Sequence, residues 1–145
     1  MVNFSHGQEN WNTEIENHFL IAASTKDYSS AAKSAQLIAE KMGLRYVDNE
    51  EYSNNKHGLT SSQADCEGDG FDYPCYIPRG GPEQENYVSV EWSSFYAEFS
   101  EGYYIIVIAN SPERDNEIQM LLQKVKIFAP SAYIKSAMIW NGCLH

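Results

Sequence analysis

Two stretches of this chain carry the same order of signals, 86 residues apart. Leu20-Ile21-Ala22-Ala23-Ser24 aligns with Ile106-Val107-Ile108-Ala109-Asn110, and each belongs to a strand, helix, strand series. In the first series, residues 19–23 read as a buried strand. Ser29 and Ser30 then offer N-caps, Ala31, Ala35, Ile38 and Met42 recur at helical spacing, and Gly43 is placed to end the helix in a left-handed turn. Leu44-Arg45-Tyr46-Val47 alternates as the return strand. In the second series residues 103–109 form a β-branched and aromatic run. Ser111 is the expected N-cap with Pro112 at the first helical position, and Ile118, Leu121, Leu122 and Val125 supply the buried stripe. Lys124 and Lys126 complement the dipole at the far end, Pro130 follows the helix, and residues 132–135 and 137–140 read as returning strand.

Two amphipathic helices and a set of apolar strands are most economically arranged with both helices on one face of a mostly antiparallel sheet. The expected fold is therefore α+β, a ferredoxin-like βαββαβ with a long central insertion. At 145 residues the chain is one domain long. Residues 1–17 are polar, with Trp11 as the large apolar anchor, and are expected to form a flexible N-terminal segment. Residues 18–145 form the domain, with the insertion at 48–102. Within it Tyr87-Val88-Ser89-Val90-Glu91-Trp92 alternates, so Tyr87, Ser89 and Glu91 are expected on a free face and Val88, Val90 and Trp92 on the core face.

The net charge of −10 is confined to one region: residues 48–101 hold twelve acidic residues against Lys56 and Arg79, and the remainder balances. Such a surface repels nucleic acid and anionic lipid and attracts a basic partner. No apolar run approaches the ~18 residues of a membrane span, and the first residues lack the pattern of a signal peptide.

The densest chemistry is in DCEGDGFDYPC, residues 65–75. Asp65, Glu67, Asp69 and Gly70 have the spacing of the first half of a calcium loop, but the twelfth position, where an EF-hand needs a bidentate Glu, is Tyr76. A weaker calcium site of extracellular type on Asp65, Glu67 and Asp69 stays open, and calcium is the one cofactor the sequence suggests. Zinc-finger spacing is missing. A Gly-rich acidic loop is also a poor place to desolvate a catalytic carboxylate. The reading preferred for the two cysteines is a Cys66–Cys75 disulfide, which needs an oxidising compartment. Cys143 is then unpaired, either buried or bonded between chains. No nucleophile, base and orienting group are assembled by any motif, so the chain is not expected to be an enzyme.

FLIAASTKDYSSAAKSAQLIAEKMGLRYVD and YYIIVIANSPERDNEIQMLLQKVKIFAPSAYIK together resemble the SPOR domain, a bacterial cell-envelope module. The resemblance implies a non-catalytic, periplasmic or secreted domain, its leader absent from this sequence, that binds peptidoglycan glycan strands freed of stem peptides. It implies that the ligand lies on the sheet face the helices leave uncovered. The aromatic tract of residues 92–104 supplies surfaces for sugar rings, and Tyr87, Glu91, Trp92, Tyr96 and Tyr103 are the expected ligand-binding residues. The alternative is an inhibitory, immunity-type protein whose acidic and aromatic surface binds a basic toxin or cell-wall hydrolase.

Overall fold

The computed structural model describes residues 14–77, 79 and 85–140. In chain order these form β1 (Glu14–Thr25), α1 (Tyr28–Met42), β2 (Arg45–Tyr46), β3 (Ser53–Asn54), β4 (Gly58–Leu59), α2 (Gln63–Gly68), β5 (Tyr87–Trp92), β6 (Tyr104–Ser111), α3 (Asn116–Val125) and β7 (Tyr133–Trp140). Five strands make a mixed sheet in the order β2-β5-β6-β1-β7, and β3 and β4 pair separately as a hairpin. β1 runs antiparallel to both β6 and β7, and β5 antiparallel to β6, while β2 lies parallel to β5. The class is α+β.

Alternation along the strands divides the core in two. Leu20, Val88, Val90, Ile106 and Ile108 point to one face and pack against Ala31, Ala35, Ile38 and Met42 of α1 and Ile118 and Val125 of α3. Leu20, Val88, Ile106 and Ile108 are fully enclosed there, each contributing about 1.5–3 kcal/mol by leaving water. Phe19, Ile21, Ile105, Val107, Ala137 and Ile139 point to the other face, where Tyr96 and Phe99 close over them. α1 and α3 thus share one face, as their amphipathic patterns require.

The boundaries differ from the sequence expectation in three instructive places. β1 reaches back to Glu14, because Glu14–Asn17 pair with residues 137–140 of β7, so residues 14–17 of the expected flexible segment are strand. Asp27, not Ser29 or Ser30, caps α1: its Oδ2 accepts from the Ser30 backbone N–H at 2.9 Å and from the Ser30 hydroxyl at 2.8 Å. Asp115, not Ser111, caps α3 by accepting from the Ile118 N–H at 3.0 Å, while Ser111 Oγ donates to its other oxygen at 3.1 Å. A charged acceptor at a helix N-terminus gains from the dipole as well as the hydrogen bond, which favours aspartate over serine. Gly43 ends α1 with φ of 70°, as expected, and the Leu44 N–H bonds back to the Ala39 carbonyl.

The return strand expected at residues 44–47 shrinks to the two residues of β2. The interior place beside β6 is taken by β5, supplied from the insertion. β5 is richer in β-branched and aromatic side chains than Arg45–Tyr46, and it buries five of its six residues.

Candidate functional site

The face without helices is the place to look, and most of it is filled. The 3₁₀ turn Ser93–Phe95 and the segment that follows it fold back so that Tyr96 meets Phe19 edge-on at 5.4 Å and Phe99 at 5.5 Å. Tyr76, from the chain beyond the disulfide, adds a further ring at 5.7 Å from Tyr96. Ser93 fixes the fold-back, donating to the Ser100 carbonyl at 2.7 Å and accepting from the Tyr103 N–H at 2.9 Å.

Consequently β5 has no free side. Tyr87, Ser89 and Glu91, expected to face solvent, are buried, Glu91 to 4% exposure. A polar network replaces the expected open surface. Arg79 crosses over β5 and donates to Ser89 Oγ at 2.6 Å, to the Tyr87 carbonyl at 2.8 Å and to Asn110 Oδ1 at 2.8 Å, its guanidinium stacked 4.2 Å from the Tyr87 ring centroid. Ser89 passes the chain on to Glu91 Oε2 at 2.5 Å, and Asn110 donates to Asn17 Oδ1 at 3.2 Å. Burial pushes the Glu91 carboxyl up to about 7, against the pull of Arg79 and the Ser89 hydroxyl, and pushes the Arg79 guanidinium below its usual range. Arg79 lies in a tract that reads as turn from its prolines and glycines, so its place inside the protein is not legible from the sequence. Polar Ser89 and Glu91 two apart in a β-rich run read equally as a solvent-facing edge, so they do not announce such a partner.

Of the other residues singled out, Tyr96 is buried and Trp92 is half-buried, packed 4.7 Å from Tyr104 and seated on Gly58. Cys66 and Cys75 are disulfide-bonded with Cα atoms 5.9 Å apart. The bond ties the short helix α2 to the strand-like segment at Thr60, whose hydroxyl accepts from the Cys75 N–H at 3.1 Å. Asp65, Glu67 and Asp69 are exposed, and the helix begins before them. At 100° per residue Glu67 lies some 200° round from Asp65, so the alternate carboxylates do not converge as they do in a calcium loop. Among the described residues no group of three or more potential ligands is placed to hold a metal ion. Cys143 lies outside the described residues.

One opening remains on the helix-free face. A cleft of about 270 Å³ lies between the fold-back and β7, lined by Phe99, Tyr103, Tyr133 and Ile105 together with Lys135, buried Ser93 and exposed Ser24 and Ser100. Lys135 is the one charged residue of its lining among the described residues. Its Nζ stands 5.6 Å from the Phe99 ring centroid, and Lys26 Nζ stands 5.3 Å from that of Tyr103. Tyr133 is 43% exposed, and partial burial raises its phenol, so it remains a hydrogen-bond donor at neutral pH. Tyr103 is the one residue expected to bind ligand that reaches this cleft. Tyr133 and Lys135 read from the sequence only as return strand, because nothing local says which face of β7 lies beside the aromatic tract. In a chain of net charge −10, the cleft is a locally basic, aromatic-walled and hydroxyl-lined place. No helix among the described residues is long and apolar enough to cross a membrane. No protein-family model, no curated protein and no solved structure matches the chain.

Proposed function

We propose that the chain is a non-enzymatic, extracytoplasmic binding domain for glycan strands of the peptidoglycan type, built on a ferredoxin-like arrangement that resembles the SPOR domain. The observation that carries this reading is the cleft. The rings of half-buried Tyr103 and exposed Tyr133 offer apolar faces to a pyranose, the exposed Ser24 and Ser100 hydroxyls exchange hydrogen bonds with its substituents, and Lys135 meets a carboxylate. A glycan that alternates neutral amino sugars with carboxylate-bearing muramic acid matches that combination. Lys135 is the charged residue of the cleft's lining among the described residues, while the exposed Glu98 and Glu101 flank the lining residues Phe99 and Ser100 in sequence.

Four strands support the ferredoxin-like reading. Numbered one to four in chain order, β1, β5, β6 and β7 lie across the sheet in the order four-one-three-two (β7, β1, β6, β5), each antiparallel to its neighbour, with α1 and α3 in the two crossovers. The disulfide supports placement outside the reducing cytosol.

Co-sedimentation with cell-wall sacculi, intact and stripped of stem peptides, tests the proposal. Enrichment on stripped glycan, lost in Lys135→Ala and Tyr133→Ala variants that fold normally, is the expected result. Retention no greater than that of an unrelated acidic protein would refute it.

A further inference from the structure

β7 is the last strand of its sheet, and among the described residues β1 alone pairs with it. Its outer edge therefore presents backbone donors and acceptors over the eight residues Tyr133–Trp140. Folded proteins blunt such an edge with proline, a bulge, a covering element or charge. β7 contains no proline. Its pairing with β1 runs from Tyr133 to Trp140 without a register shift, whereas the irregularities of β1 fall on the β6 side. Lys135, its one charged residue, stands over the sheet face, 5.6 Å from the Phe99 ring centroid, and so does not guard the edge. Two large apolar side chains of β7 are left exposed, Tyr133 at 43% and Met138 at 39%. By alternation they lie on opposite faces, Tyr133 with Ala137 and Ile139, Met138 with Ile134.

We infer that β7 pairs antiparallel with β7 of a second copy of this chain, joining two five-stranded sheets into one. An antiparallel strand is its own complement about a two-fold axis normal to the sheet, so the second copy has to supply no further surface. That axis keeps every residue on its own face, so odd residues oppose odd and even oppose even. Centred on Ser136, the pairing sets Met138 against the partner's Ile134, Lys135 against the partner's Ala137, and the two serine hydroxyls against each other. Centred on Lys135 it would oppose two like charges, and centred on Ala137 it would set Met138 against a serine. The acidic residues 48–101 enter the sheet through β5, which lies beyond β6 and β1, so the axis keeps those strands apart. A single strand pair lies at the low end of specific interfaces, below about 1,200 Å², so the dimer is reversible. The same axis leaves the clefts of both copies on one face of the joined sheet.

The test is sedimentation velocity of the whole chain across the micromolar to millimolar range, where a monomer–dimer equilibrium is expected. Met138→Lys lays a charge against the partner's Ile134 twice by symmetry and should weaken the dimer about tenfold. Met120→Lys, the same change on the exposed surface of α3, should leave it unchanged. The register has its own test in a Cys143→Ser background, with oxidised glutathione as the oxidant. Ser136→Cys should give a covalent dimer, its Cα atoms about 4.5–5.5 Å apart across the axis. Met138→Cys should not, because its two copies stand about 13 Å apart along the strands. A monomer at every concentration, a dimer that Met138→Lys leaves intact or that Met120→Lys weakens, or cross-linking at 138 instead of 136 would overturn the inference. No sugar enters these measurements, so failure of the glycan reading leaves their outcome unchanged.

Discussion

Gly58 turns the chain with φ of 72° at the start of β4, and the indole of Trp92 occupies the space a side chain would need. A Gly58→Ala protein therefore meets two costs, the left-handed backbone and the displaced ring, and should lose about 3 kcal/mol in urea unfolding. Trp92 fluorescence should shift with it. Glu91 governs a different observable. Its folded pKa of about 7 lies above the ordinary 4.5, so the folded protein holds the proton more tightly than the unfolded chain. The resulting stability is full below about pH 4.5 and is lost as pH rises to about 7, a change of about 3 kcal/mol. Glu91→Gln should flatten that slope when unfolding is followed at pH 5 and pH 8. In Arg79→Met the carboxyl loses its nearest cation, so its titration, read by NMR, should move further up, and stability should fall by about 3–5 kcal/mol. A slope unchanged by Glu91→Gln would contradict the network. None of this was legible from residue type alone: Ser89 and Glu91 alternate as solvent-facing residues do, and only the distant Arg79 makes them interior.

At the scale of elements, patterns that depend on neighbours within one turn or one strand were readable. The stripe of α1, the end of that helix at Gly43 and the extent of β5 follow from spacing and conformational preference. Caps were not, because Asp27, Ser29 and Ser30 all suit the role and the choice depends on where β1 releases the chain. Asp115→Ala should cost about 1 kcal/mol and Ser111→Ala less, since the serine only supports the aspartate. The disulfide was readable from spacing and turn residues. Closing a loop with a sequence separation of 9 stabilises by about 2.5–3 kcal/mol in the chain-entropy model, and α2, with six residues, is too short to persist without it. Cys66→Ala/Cys75→Ala should lower the urea midpoint accordingly and raise hydrogen exchange first in residues 60–76. A midpoint unchanged by removal of both cysteines would show that packing alone holds the insertion.

Across the whole molecule, the repeated strand and helix series announced two layers and an α+β class, but not which strand would sit beside β6. That place is decided by a competition between β2, two residues long, and β5, six, and the longer apolar strand wins by burial. The same insertion then closes most of the helix-free face, leaving the aromatic cleft beside β7. Lys26 and Lys135, from outside the acidic residues 48–101, stand at the cleft rings of Tyr103 and Phe99. The measurement that tests this account most directly is chemical-shift mapping of the labelled protein with a soluble, peptide-free peptidoglycan tetrasaccharide. The account predicts shifts at Ser24, Phe99, Tyr103, Tyr133 and Lys135, abolished by Lys135→Ala. Shifts elsewhere on the protein, or none at saturating sugar, would contradict it.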